Sequence, residues 1–152
     1  MTDDWFDLLA ALLDAGARFL VVGAHALAVH GVPRGTQDLG LWIDPTRQNA
    51  ERVWQALAAF GAPVASLDLE LGDLTQPDLV IQLGVPPARM DLMTGLSGLP
   101  DFEAAWNQRV EHAVRSRIIP FLGRNELAAT KRATGRPRDL ADLDALGEPP
   151  DR

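Results

Sequence analysis

The chain has 152 residues, 47% of them hydrophobic and 23% charged, with a formal net charge of -7. That composition and length fit one globular domain with a proper core. The acidic balance excludes sequence-independent binding to bulk DNA, which needs a cationic face, and the lack of cysteine excludes disulfides and thiolate metal sites.

Thr2 or Asp3 is placed to cap a first helix, in which Trp5, Phe6, Leu8, Leu9, Leu12 and Leu13 make a broad apolar face. Asp14-Ala15-Gly16 ends it. Phe19 to Val22 is a continuous apolar run of strand length, expected to be buried. Ala24 to His30 reads as a short helix closed by Gly31, and Val32 to Thr36 as a loop punctuated by proline and glycine. A second strand runs from Asp38 to Ile43. Asp44-Pro45-Thr46 then turns the chain into a longer helix with Ala50, Val53, Trp54, Leu57 and Ala58 on its buried stripe and Gly61 at its end.

The acidic segment 62–77 is expected to be irregular, with a short helix at most. Leu79 to Leu83 and Arg89 to Met93 flank a proline-glycine turn and predict an antiparallel hairpin. A helix over 101–109 precedes a short strand at Ile118 to Leu122, which its proline places at a sheet edge. A C-terminal helical segment over about 124–147 completes the fold, with Asn125 as the cap of its first helix, a break at Gly135-Arg136-Pro137, and a closing helix from Leu140 to Leu146. No run approaches bilayer-spanning length, and Met1-Thr2-Asp3-Asp4 is unlike a secretory leader. A cytoplasmic protein without membrane association is expected.

Two carboxylates, Asp38 and Asp91, sit on strands in apolar surroundings. Carboxylates are costly to bury unless paired or bound to a cation. Brought together by neighbouring strands they would repel, and a divalent ion such as Mg²⁺ would relieve that. Spacing alone also leaves a plainer reading, with each aspartate in water at a strand end or capping a turn. Gly23 between a strand and a helix would offer backbone N–H groups to phosphate, or simply make a tight turn. His25 and His30 are five apart and do not share a helix face. Arg34 and Thr36 flank the approach to Asp38. Lys131 to Arg138 is a local cationic cluster followed at once by Asp139 and Asp142, so its charges are either free for nucleic acid or paired along the surface. Trp42, Trp54 and Trp106 read as core.

Taken together, these segments resemble the nucleotidyltransferase superfamily, in its small single-domain branch. The resemblance is carried by Val21-Val22-Gly23-Ala24-His25-Ala26-Leu27-Ala28 with Pro33-Arg34-Gly35-Thr36-Gln37-Asp38-Leu39, by Arg89-Met90-Asp91-Leu92-Met93-Thr94, and by Glu126 to Lys131 with Arg136 to Leu143. These follow in the right order from about Leu13 to Leu146. The resemblance implies an α/β (α+β) fold, a mixed sheet flanked by helices. It implies transfer of a nucleoside monophosphate from a nucleoside triphosphate to a hydroxyl of RNA or protein, with Mg²⁺. By the same resemblance Gly23 and Ala24 match the turn that holds the triphosphate. Asp38 matches the first carboxylate of an Asp-x-Asp pair, Asp91 the third carboxylate, and Lys131 a helical lysine facing the phosphates. Arg34 and Thr36 border the same nucleotide site. Small members of this branch often serve as toxins in toxin–antitoxin pairs, which implies tRNA or a cognate antitoxin protein as partners.

The second carboxylate of the pair falls at Gly40. Two residues beyond Asp38 on a strand, it faces the same side. Asp44 has the right parity, but six residues of strand put it roughly 20 Å away. Three readings follow. The domain has lost transfer and kept nucleotide or partner binding; a water or substrate oxygen fills the place and the reaction is slow; or the glycine is a disabling change in a toxic protein.

Overall fold

The computed structural model describes residues 1–151. Its centre is a six-stranded mixed sheet flanked by helices, the fold class the sequence implies. The strands are β1 (Phe19–Val22), β2 (Asp38–Ile43), β3 (Val80–Leu83), β4 (Arg89–Met93), β5 (Val110–Val114) and β6 (Arg117–Phe121), in the order β3-β4-β2-β1-β6-β5. Antiparallel pairing joins β1 to β2, β3 to β4 and β5 to β6, while β2 runs parallel to β4 and β1 parallel to β6.

Helices cover both faces because alternate strand residues are apolar on both sides. Against one face lie α1 (Asp3–Asp14) and α3 (Arg47–Phe60), whose Leu8, Leu9, Leu12, Val53 and Leu57 meet Phe19, Val21, Leu39, Leu41 and Ile43. Against the other lie α2 (Gly23–Val29), α4 (Phe102–Asn107), α5 (Arg124–Thr134) and α6 (Pro137–Leu146), packed on Leu20, Val22 and Trp42. Thr2 caps α1 by accepting the Trp5 backbone N–H, and Gly61 closes α3 in the left-handed conformation at φ +86°. The acidic segment holds a single 3-10 turn at Leu71–Thr75.

Several local expectations need correction. β6 is not an edge strand, because Val110–Val114 forms β5 outside it. Pro120 is accommodated because β6 meets β1 only at Val21↔Phe121, so no ladder bond between them needs its missing N–H. Asn125 lies inside α5, whose N-cap is Gly123. Pro137 starts α6 rather than merely breaking the chain, since a proline at the first helical position loses only an N–H that has no helical partner. Trp42 is core, whereas Trp54 and Trp106 are only partly buried. No helix among the described residues is long and apolar enough to cross a membrane.

Candidate functional site

β2 and β4 assemble the site because they run parallel and in register. Asp38 pairs with Arg89, Leu39 with Met90, and Gly40 with Asp91. The residues between, Leu39, Met90, Leu41 and Leu92, are buried in the α1/α3 core. By strand alternation Asp38, Gly40, Arg89 and Asp91 therefore share the opposite face. Antiparallel pairing places Val22 beside Gly40, and Gly23 follows it as the turn into α2. Gly23 has φ +69°, a left-handed conformation that glycine adopts without the penalty of a side chain. The long-range pairing thus brings Gly23, Asp38, Gly40 and Asp91 to one end of the sheet.

Asp38 is held by its neighbour: Thr36 Oγ1 donates to Asp38 Oδ1 at 2.7 Å. Thr36, Asp38 and Arg89 line a shared open depression with Gly35, Gln37 and Pro86. Asp91 is engaged at both oxygens. Arg89 Nε donates to Oδ1 and Nη2 to Oδ2, each at 3.1 Å. The pairing raises the Arg89 pKa, first through the Asp91 hydrogen bond and then through its charge; partial burial opposes the shift and Asp38 adds to it. From sequence alone Arg89 is assigned no role, although an arginine two residues before an aspartate on a strand shares its face.

The other expected phosphate contacts are occupied internally. Lys131 Nζ lies 3.0 Å from Asp142 and 3.6 Å from Asp139, and Arg34 pairs with the other oxygen of Asp142. Arg136 closes the group on Asp139. Burial would push the Asp139 carboxyl up, but hydrogen bonds from Arg136 and Thr134 and the Lys131 charge hold it well below the usual carboxylate range. Lys131 and Gly23 also line one small cavity between β1 and α5. Asp44, at the far end of β2, is paired with Arg18 at 3.5 Å and does not replace a carboxylate at position 40.

His25 stands beneath the site. Its ring meets Trp5 edge-on at 4.9 Å, and Trp5 Nε1 donates to the Arg89 carbonyl at 3.1 Å. His30 instead contacts the Leu122 carbonyl through Nε2 at 2.8 Å, tying the end of α2 to the chain after β6. Burial, followed by the N-terminal ammonium, lowers the His25 pKa below the usual 6.5, against an opposing pull from Asp38. The unfolded chain therefore takes up this proton at higher pH than the folded one, so acidification through that range disfavours folding. The expected result is a urea midpoint that falls between about pH 8 and pH 5.5, with a smaller fall in His25→Phe. Equal falls in both proteins would remove His25 as the cause.

Gly40 has a packing role that strand propensity alone does not suggest. A Cβ built there meets Val22 Cγ2 at 3.1 Å and Met93 Cε at 3.5 Å. Both contacts are side-chain atoms, so a larger residue requires Val22 to shift by a few tenths of an ångström while the methionine flexes. Gly40 is thus both a missing carboxylate for the implied chemistry and a space into which Val22 leans.

Among the described residues no three His, Cys, Asp or Glu side chains group to hold a metal ion. Asp38 and Asp91 are donors of the type magnesium takes, one or two carboxylates with water and phosphate oxygens completing the shell. Both oxygens of Asp91 are held by Arg89 in this structure. Comparison with protein-family models finds no match, and none of the curated proteins compared matches the sequence.

Proposed function

We propose that this chain is a nucleotidyltransferase-fold protein that binds a nucleoside triphosphate with Mg²⁺ and transfers the nucleoside monophosphate to a hydroxyl of RNA or protein. Gly40 holds the rate down. The observation that carries this reading is the register of β2 on β4, which sets Asp38 and Asp91 on one face beside the Gly23 turn. In the reaction the acceptor oxygen bonds to the α-phosphorus, the bond to pyrophosphate breaks, and the acceptor proton passes to water. Mg²⁺, when bound, supplies charge neutralisation and lowers the acceptor pKa. Asp38 and Asp91 would hold it, Thr36 orients Asp38, and the backbone at Gly23 and Ala24 would receive the triphosphate. Acceptors of the kind expected are tRNA or a partner protein such as a cognate antitoxin, in the cytoplasm.

A second reading has its own support. Arg89 occupies both oxygens of Asp91, and Lys131 and Arg34 are committed to Asp142. Such a site suits a module that binds a nucleotide or a partner without turning it over.

The test is incubation with Mg²⁺, labelled nucleoside triphosphates, total RNA and protein, comparing the chain with Asp38→Asn and Asp91→Asn. Slow transfer by the chain is expected, falling at least about a hundredfold in each variant, as for loss of a group that contacts the developing charge. Transfer unchanged in both variants would place any activity elsewhere. Retained nucleotide binding with no transfer would favour the second reading.

A further inference from the structure

Resting on the nucleotide-site reading above, we propose that Arg89 is the resident cation on Asp91, beside Asp38, and that a divalent ion enters more readily when a triphosphate draws the guanidinium away. Arg89 stands directly opposite Asp38 in the β2/β4 register and clasps Asp91 with two hydrogen bonds of 3.1 Å. The guanidinium is thus bonded to Asp91 and stands on the face that also carries Asp38, whose charge acts on it through space. Its side chain is 34% exposed, whereas that of Asp91 is 13% exposed, so the arginine is the partner with room to move. It also lines the open depression that holds Thr36 and Asp38.

The chemistry of the two cations sets the order of events. A guanidinium fork matches a phosphate as well as it matches a carboxylate. Magnesium sheds water reluctantly and binds best where substrate phosphate completes its shell. With Arg89 in place the three side chains sum to one negative charge, a poor site for a dication. With Arg89 moved onto a phosphate, Asp38 and Asp91 present two negative charges to the ion. Metal and nucleotide therefore bind with positive coupling, and the coupling is reciprocal. Arg89 weakens the binding of a free metal and favours a metal-bound nucleotide.

Equilibrium dialysis with Mn²⁺ as the probe tests this, with and without α,β-methylene-ATP on both sides of the membrane. The chain itself is expected to take up Mn²⁺ weakly alone and about tenfold more tightly with the analogue, within the usual range of such couplings. Arg89→Gln is expected to bind Mn²⁺ about tenfold more tightly than the chain in the absence of nucleotide, and to lose most of the gain from the analogue. Arg89→Lys, which keeps the charge without the fork, should fall between them, and it carries the comparison if thermal melts show Arg89→Gln unfolded. Equal Mn²⁺ affinity in the chain and both variants overturns the proposal, as does a nucleotide gain that is undiminished in Arg89→Gln. Failure of the transferase reading looks different: label transfer would be absent even from Gly40→Asp, while the Mn²⁺ comparison would still separate the Arg89 variants.

Discussion

Gly40→Asp is expected to raise nucleotidyl transfer by roughly a thousandfold or more over the chain as it stands, because a missing metal ligand or transition-state contact costs several kcal/mol of barrier. Gly40 lies opposite Asp91 and two residues from Asp38 on the same face, so the new carboxylate projects on the side that carries those two. The contact with Val22 limits the gain. The added Cβ approaches Val22 Cγ2 at 3.1 Å, and valine has little rotamer freedom with which to retreat. Combining Gly40→Asp with Val22→Ala relieves that contact and should increase the gain, while Gly40→Ala should give strain without activity. Label transfer from nucleoside triphosphate to RNA or protein reads all four proteins. A Gly40→Asp protein that is folded and as slow as the parent removes the missing carboxylate as the cause of slowness.

Lys131→Met is expected to destabilise the fold by about 3 kcal/mol, toward the lower end for breaking a buried ion pair, because Arg34 and Arg136 still answer part of the charge. Lys131 joins two carboxylates, Asp139 and Asp142, which sit one turn apart on α6 and are almost wholly buried. Without the ammonium they face each other across a poorly solvated gap. For a chain of this length the loss corresponds to a fall in Tm of roughly 6–12 °C. Removing Asp142 as well, as Lys131→Met with Asp142→Leu, should recover much of it, since a buried pair replaced by apolar groups is often neutral. A double-mutant cycle by urea denaturation measures the coupling directly. Additive losses would mean that the pair is incidental. The same cycle separates a scaffold role for Lys131 from a role at the nucleotide, which would alter ligand affinity at constant stability.

Much of the scaffold is legible in the sequence because it is local. The leucines of α1, the stripe on α3, and the apolar runs of β1 and β2 follow from periods of 3.6 and 2. β5 is not legible in this way. Val110-Glu111-His112-Ala113-Val114 is largely exposed, so it carries no apolar alternation, and only its pairing with β6 makes it a strand. Pro120 points to an edge by a sound rule whose premise, a full ladder on both sides, fails here.

The site is legible in its members and less so in its connections. Parity on β2 identifies Asp38 and position 40 as neighbours on one face, yet the register that sets Asp91 opposite Gly40 is a contact between distant segments. Local patterns do not encode it. Three other connections are also non-local: the hold of Arg34 on Asp142, the edge contact of Trp5 with His25, and the approach of Val22 to position 40. The pairing of Lys131 with Asp142 is instead one of the two readings the local charge pattern allows. Arg89 is the exception, since its place two residues before Asp91 sets both on one face from sequence alone.

The most direct measurement is calorimetric titration of α,β-methylene-ATP with Mg²⁺ into the chain, Gly40→Asp and Asp38→Asn. If the Asp38/Gly40/Asp91 face is the nucleotide site, the parent binds, Gly40→Asp binds more tightly, and Asp38→Asn loses most of the heat. Binding of equal strength in all three, or in none, would contradict a nucleotide site on this face.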